Sequence, residues 1–149
     1  MKTGLPRKQK GAAAIEFALV FGIFFAVFYG LISYSLPLLL MQSFNQAAAE
    51  AVRQAMAVDP IAAGNNYATQ VTDRAKTTVI TQLNWIPPSF QFSSDLISAT
   101  YVDATRTLTV TITYPTNKIY SVFPALVVPG VGTVPNLPTY LTARSSLQF

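Results

Sequence analysis

A single long apolar run constrains this chain more than any other feature. Between Glu16 and Glu50 the sequence carries no formally charged residue. The part from Phe17 to Met41 is 25 residues long. A helix of that length extends about 37 Å, whereas the hydrocarbon core of a bilayer is about 30 Å thick. The run therefore predicts a membrane-spanning helix near the N-terminus.

The excess positive charge lies at one end of the chain. Four of the ten Lys and Arg residues precede residue 11, namely Lys2, Arg7, Lys8 and Lys10. From residue 12 onward six basic residues balance six acidic ones, so the net charge of +4 belongs to this N-terminal tail. Because Lys and Arg beside a span are retained in the cytoplasm, the N-terminus is expected there and the head on the other side. No basic patch interleaved with aromatic residues indicates nucleic-acid binding.

The composition excludes several kinds of chemistry. The chain has no Cys and no His, which excludes disulfides, thiol and His-based triads, and the usual zinc and copper ligands. The carboxylates are scattered, and neither a phosphate-binding loop nor a dinucleotide fingerprint is present. The sequence therefore predicts a non-enzymatic protein without cofactor or metal. An enzyme that uses Lys76 or Lys118 as a base is a further alternative.

The residues around Gly11 form a candidate processing signal. The basic tail ends at Gly11 and is followed by Ala-Ala-Ala-Ile, then Glu16 and Phe17. In a secretory signal the small residues of the cleavage site follow the apolar region, whereas here they precede it. A cut between Gly11 and Ala12 would remove the tail, leave the apolar helix attached, and create a new α-amino group on Ala12.

This arrangement resembles the leader of type IV pilins and pseudopilins. In that family a prepilin peptidase cuts after a glycine, and a glutamate occupies the fifth mature position, which is Glu16 when counted from Ala12. The alanine run, the pair Glu16-Phe17, and a Thr-Val-Thr strand followed by a Pro-rich apolar loop are similar to TadE-like pseudopilins of the tight-adherence (Flp) pilus system.

The resemblance implies a function, a location and a set of partners. The function would be that of a minor pseudopilin in the bacterial inner membrane, crossing it once, with a cytoplasmic N-terminus and a periplasmic head, and reaching the outside if it enters a fibre. The implied partners are the prepilin peptidase, other pilins or pseudopilins, and pilus assembly proteins. The implied role of Glu16, next to Phe17, is to pair with the N-terminal amine of a neighbouring subunit during assembly.

Physical chemistry allows two interpretations of Glu16. Burying a carboxylate costs about 2.5–3.5 kcal/mol at the bilayer centre and less near the interface, and the amine of Ala12 could offset that cost within or between chains. Alternatively, the carboxylate only stabilises the positive end of the helix dipole, by about 0.3–1 kcal/mol.

Small residues recur at every fourth position of the apolar run. This small-residue ridge consists of Ala14, Ala18, Gly22, Ala26 and Gly30. Such spacing lets two membrane helices approach closely, so the ridge predicts a helix-packing surface, although Gly and Ala are also common in membrane helices generally. Pro37 predicts a kink near residues 33–37, where Ser33 and Ser35 could satisfy the backbone groups that the proline frees.

Beyond the span, the pattern predicts an α+β head with a pilin-like layout. The first helix continues into the head with an apolar stripe that consists of Phe44, Ala48, Ala51, Val52 and Ala55. A second helix is expected from Tyr67 to Leu83, capped by Gly64-Asn65-Asn66. Alternation in residues 97–102, 107–114 and 140–149 predicts an antiparallel sheet of about three to four strands, covered by the first helix.

The Pro-rich segment 115–138 predicts a loop with a short helix near residues 123–128. This loop either packs on its own domain or touches the membrane or a partner. The predicted organisation is thus a leader (1–11), the transmembrane part of the helix (12–41) and a periplasmic head (42–149). One alternative is an uncleaved single-pass protein with a periplasmic binding or sensor head. Another is a secretory signal cut near Ser33 or Ser35.

Overall fold

The computed structural model describes residues 9–149, and the basic tail up to Lys8 lies outside these residues. The longest element is α1 (Gln9–Ala55), a helix of 47 residues. The other elements are α2 (Pro60–Ala63), α3 (Tyr67–Gln82), β1 (Ile97–Val102), β2 (Thr107–Pro115), α4 (Asn117–Tyr120), β3 (Leu126–Val128), β4 (Gly132–Val134) and β5 (Tyr140–Gln148). Single 3₁₀ turns occupy Gly64–Asn66, Pro88–Phe90 and Ser94–Leu96. The predicted α+β class is confirmed.

The main sheet is antiparallel, with strand order β1-β2-β5. Its central strand β2 buries its four alternate apolar residues completely on one face, and these are Leu108, Val110, Ile112 and Tyr114. The threonines between them lie half-buried on the other face. The turn from β1 to β2 places Arg106 in the left-handed region (φ 49°), where its amide donates to the carbonyl of Asp103 at 3.2 Å.

Two helices cover the apolar face of this sheet. The second half of α1 lies against β5 and β2, and α3 lies beside α1 and against β1. Buried residues of α1 include Phe44, Ala48 and Ala51, while α3 contributes Val71 and Val79, all without exposed surface. The prediction that the first helix continues into the head and covers the sheet is therefore confirmed.

The connection between α1 and α3 differs from the prediction. Asp59 caps α2, because its Oδ1 accepts hydrogen bonds from the amides of Ile61 (2.8 Å) and Ala62 (3.4 Å). The predicted cap of α3 is wrong, since the side chain of Asn66 accepts no capping hydrogen bond. A 3₁₀ turn leads directly into α3 and holds Asn66 at φ −95° and ψ 8°, away from the extended backbone that capping residues adopt.

The Pro-rich segment folds into a hairpin. β3 and β4 pair antiparallel around a turn in which Gly130 and Gly132 have positive φ angles of 82° and 101°. The predicted helix near residues 123–128 is wrong, and the helix of this region is α4, a single turn that precedes it. Prolines at positions 124 and 129 explain the difference, because a residue before proline disfavours the α conformation and Val128 lies directly before Pro129.

Helix α1 continues through Pro37 without a break. Ser33 Oγ donates to the carbonyl of Gly30 (3.0 Å) and Ser35 Oγ to that of Ile32 (2.7 Å). Both hydroxyls therefore bond one turn back and not to the Ser33 carbonyl that a proline at position 37 frees. The predicted kink stays a prediction.

Candidate membrane and assembly surface

The N-terminal part of α1 is an apolar surface that the head does not cover. Residues 11–28 are all exposed, and the exposed fraction reaches 70% at Phe17 and 68% at Ile23. Within the described residues, Gly11–Ala55 is the one helix whose length and composition would allow it to cross a membrane. Contiguous apolar surface of this size marks a membrane or protein contact. The helix is therefore consistent with a membrane anchor.

Aromatic side chains stack along one side of this helix. Ring centroids lie 5.9 Å apart for Phe17 and Phe21, 6.3 Å for Phe21 and Phe25, and 6.2 Å for Phe25 and Tyr29. This ladder precedes the small-residue ridge by one position along the sequence, which is a rotation of about 100° around the helix. Aromatic and small residues thus form adjacent stripes on the exposed surface.

The small-residue ridge is open along the span. Its members Ala14, Ala18, Gly22 and Ala26 are exposed, and Gly30 is half-buried. A Cβ atom added at Gly22 or Gly30 would meet no described atom within 4 Å outside the local helix backbone. Nothing in the described part of the chain therefore occupies the ridge, and a second helix could approach it.

Glu16 lies exposed near the start of this surface. One helical turn away on either side are Ala12 and Val20, so its neighbours on the same face are apolar. Ala12 lies about 6 Å away along the helix axis at 1.5 Å per residue. Gly11 and Ala12 are also exposed. Among the described residues, Glu16 is in no ion pair, and the observed pair joins Arg53 to Glu50 at 2.8 Å in the head.

Two tyrosines attach the Pro-rich segment to α1. The hydroxyl of Tyr29 donates to the carbonyl of Pro124, and its ring stacks on Phe123 with centroids 6.0 Å apart. The hydroxyl of Tyr34 accepts a hydrogen bond from the amide of Asn136 at 2.9 Å. Sequence reasoning missed both attachments. The available signal was that every aromatic from residue 17 to 28 is Phe, and that the first hydroxyl-bearing aromatics follow at these two positions.

Burial of α1 side chains by the head begins at Ser33. Ser33, Pro37, Leu40 and Phe44 are all buried and lie on one face of the helix, three or four residues apart. The stretch from residue 12 to 32 therefore precedes the first buried residue of α1, and Tyr29, near its end, contacts Phe123 and Pro124 of the head. Its 21 residues extend about 31 Å, which is close to the thickness of a hydrocarbon core.

The apolar part of α1 and its continuation into the head match a known protein family. Residues 11–53 match the family model described as TadE-like protein. The N-terminal helix is similar to that of TadE-like proteins. The TadE-like match begins at Gly11 and ends two residues before α1 does, so it covers the exposed apolar part of the helix and the part that packs in the head. The resemblance predicted from the leader is thus confirmed over this segment, which is under a third of the chain.

The TadE-like family is associated with the tight-adherence pilus and is structural. No curated protein and no solved structure matches the chain significantly. Within residues 9–149, no group of three or more His, Cys, Asp or Glu residues could hold a metal ion.

Proposed function

We propose that this protein is a minor pseudopilin, a structural or assembly subunit of a tight-adherence pilus in a bacterial inner membrane. The observation that carries the proposal is the position of Gly11 and Glu16. They lie at the start of the uncovered apolar part of α1, inside the segment that matches the TadE-like family. The basic tail supports a cytoplasmic N-terminus, with the head in the periplasm.

The proposed membrane segment starts near residue 12. The sequence predicts its end at residue 41, whereas the contacts of the head favour an earlier end, between Tyr29 and Tyr34. At Ser33 the helix begins to be covered by the head, and tyrosines favour the membrane–water interface. Leu38 and Leu39 remain exposed above that level, where a neighbouring subunit could cover them.

Assembly would proceed from the N-terminus. The prepilin peptidase cuts between Gly11 and Ala12, which frees an α-amino group at the cytoplasmic end of the span. Glu16 of one subunit pairs with that amine of its neighbour, which offsets the cost of holding a carboxylate in the membrane. The small-residue ridge then lets the two helices pack closely, with Phe17 beside the pairing site.

The assembly role is tested by Glu16→Val in the native host. We expect loss of pili while membrane insertion and processing continue, because the apolar helix and the residues at the cut are unchanged. Glu50→Val is the matched control, since it removes the other carboxylate of α1, whose partners Arg53 and Gln54 lie in the head. Piliation should persist in the control. Normal pili in the Glu16→Val strain would contradict the pairing role.

A further inference from the structure

The segment that follows β2 carries an apolar surface without charge. From Ile119 to Ala143 the chain has 25 consecutive residues without a Lys, Arg, Asp or Glu. Much of this segment lies outside the core, and the side chains of Val127 and Val131 are 77% and 73% exposed. These two valines belong to the β3–β4 hairpin and its turn.

The hairpin is held in place by hydrogen bonds and is not a free loop. The hydroxyl of Tyr120 donates to the carbonyl of Pro135 at 3.1 Å and accepts from the amide of Leu137 at 3.3 Å. Pro135 is fully buried. Backbone pairing from Leu126 to Val134 closes the hairpin itself. Val127 and Val131 are therefore exposed on a hydrogen-bonded hairpin and not on an unstructured loop.

The attachments to α1 place this element at one level of the helix. From the buried Ile119 the chain runs toward the N-terminal part of α1, reaches Tyr29 at Pro124, and returns past Tyr34 at Asn136. Tyr29 lies about 25.5 Å along the helix axis from Ala12 at 1.5 Å per residue, four residues before Ser33, the first buried residue of α1. If α1 spans the inner membrane, Tyr29 lies at the membrane–water interface on the periplasmic side.

We propose that the β3–β4 hairpin is a second membrane contact, with Val127 and Val131 entering the interface of the periplasmic leaflet beside α1. This inference rests on the proposed membrane anchoring of α1. Tyr29 and Tyr34 hold the two segments that flank the hairpin, and tyrosine side chains favour the membrane–water interface. No Asp or Glu follows Asp103, so this part of the head presents no side-chain carboxylate to anionic headgroups. The unpaired edges of the hairpin restrict it to the interface, because open strand edges are not tolerated in hydrocarbon.

A second contact has a consequence for the head. Because α1 is continuous with the core of the head, a single membrane helix leaves the tilt of the whole molecule unconstrained, whereas two separate contacts with the membrane fix that tilt. The face of α1 that carries the small-residue ridge would then hold a defined direction relative to the membrane plane.

The test uses single-cysteine variants of the full chain, which has no native Cys. The chain is reconstituted into vesicles of phosphatidylethanolamine and phosphatidylglycerol and labelled with an environment-sensitive fluorophore. Val127→Cys is the reporter, Phe24→Cys reports the span, and Ile61→Cys is a matched exposed position on the head, 91% exposed. Quenching is measured with brominated lipids and, separately, with aqueous iodide.

We expect Val127→Cys to show a blue shift and a loss of emission with brominated lipids, as Phe24→Cys does, while Ile61→Cys responds to iodide alone. If Phe24→Cys is quenched by lipid but Val127→Cys behaves like Ile61→Cys, the hairpin contact is refuted and the anchor stands. Protection of Val127→Cys from iodide without lipid quenching would indicate a protein contact and also refute it. Absence of lipid quenching at Phe24→Cys would refute the anchor, and the hairpin inference with it.

Discussion

Tyr114 packs against other aromatic rings in the core of the head and also makes a buried hydrogen bond. Its side chain is fully buried, its hydroxyl donates to the carbonyl of Phe90 at 2.7 Å, and its ring lies 5.6 Å from that of Phe44. Burial raises the pKa of Tyr114 from 10.0 to about 12, because the phenolate would lose its hydration. The residue is therefore held in its neutral form, as a hydrogen-bond donor.

This pKa shift predicts how the stability of the head depends on pH. The contribution is fully present below pH 10, the pKa in the unfolded chain, and is lost as pH rises from about 10 to 12, since the unfolded chain ionises first. Tyr114→Phe removes this dependence and, by deleting one hydrogen bond, lowers the free energy of unfolding by about 0.5–1.5 kcal/mol at neutral pH.

The measurement is urea unfolding of both proteins in detergent at pH 8 and pH 11, followed by fluorescence of Trp85, the one tryptophan of the chain. The difference in stability between wild type and Tyr114→Phe should shrink at pH 11. Other titrating groups are common to both proteins and largely cancel. A difference that is equal at the two pH values would show that the Tyr114 pKa is not raised.

The roles of some single residues could be predicted from the sequence, whereas those of others could not. Glu16 and Gly11 could be singled out because a charge and a glycine at fixed spacing before an apolar run are unusual. Tyr29 and Tyr34 could not, because their partners are backbone groups of Pro124 and Asn136, 95 and 102 residues away. No local pattern encodes such a contact.

Among the secondary-structure elements, α1 has different surroundings in its first and second parts. Its first part exposes apolar side chains on every side, while its second part buries one stripe against the sheet. Phe44 stands in this stripe, stacked on Phe92 at 5.7 Å and in contact with Tyr114. Helix α1 therefore also forms one side of the head's core.

Phe44→Ala is expected to destabilise the head by about 3–5 kcal/mol, the usual cost of deleting a buried phenylalanine side chain. Phe21→Ala makes the same change in the same helix where the side chain is 53% exposed, and it should leave head stability unchanged. Urea unfolding in detergent, followed by Trp85 fluorescence, compares the two. Equal effects would show that α1 does not form part of the core.

Elements with a clear period could be predicted from the sequence, and those without one could not. The spacing of Phe44, Ala48 and Ala51, and the alternation in β2, report directly which face is buried. Residues 122–139 show neither the helical nor the strand period, because prolines and glycines determine the backbone path there. The sequence therefore predicts a loop with a short helix, where the structure has a hairpin. The capping error at Asn66 has a similar cause, since a cap depends on the backbone angle and not on residue type alone.

At the scale of the whole molecule, the chain is a head on a projecting helix. About 31 Å of α1 precedes its first buried residue, Ser33, and the same helix forms part of the head's core. A force or displacement on the span would therefore pass to the head without a flexible joint at Pro37, where the helix is continuous. A continuous helix of this kind suits the proposed pilus subunit, whose position would be set by packing of that helix.

Processing after Gly11 is tested by the intact mass of the protein purified from membranes of its native host. A prepilin-type leader predicts a mature chain that begins at Ala12, and one that still begins at Met1 when the peptidase is deleted. A chain that begins at Met1 in peptidase-competent cells would contradict the account and favour the uncleaved membrane protein. A start beyond Ser33 would contradict it equally, since the span itself would then have been removed.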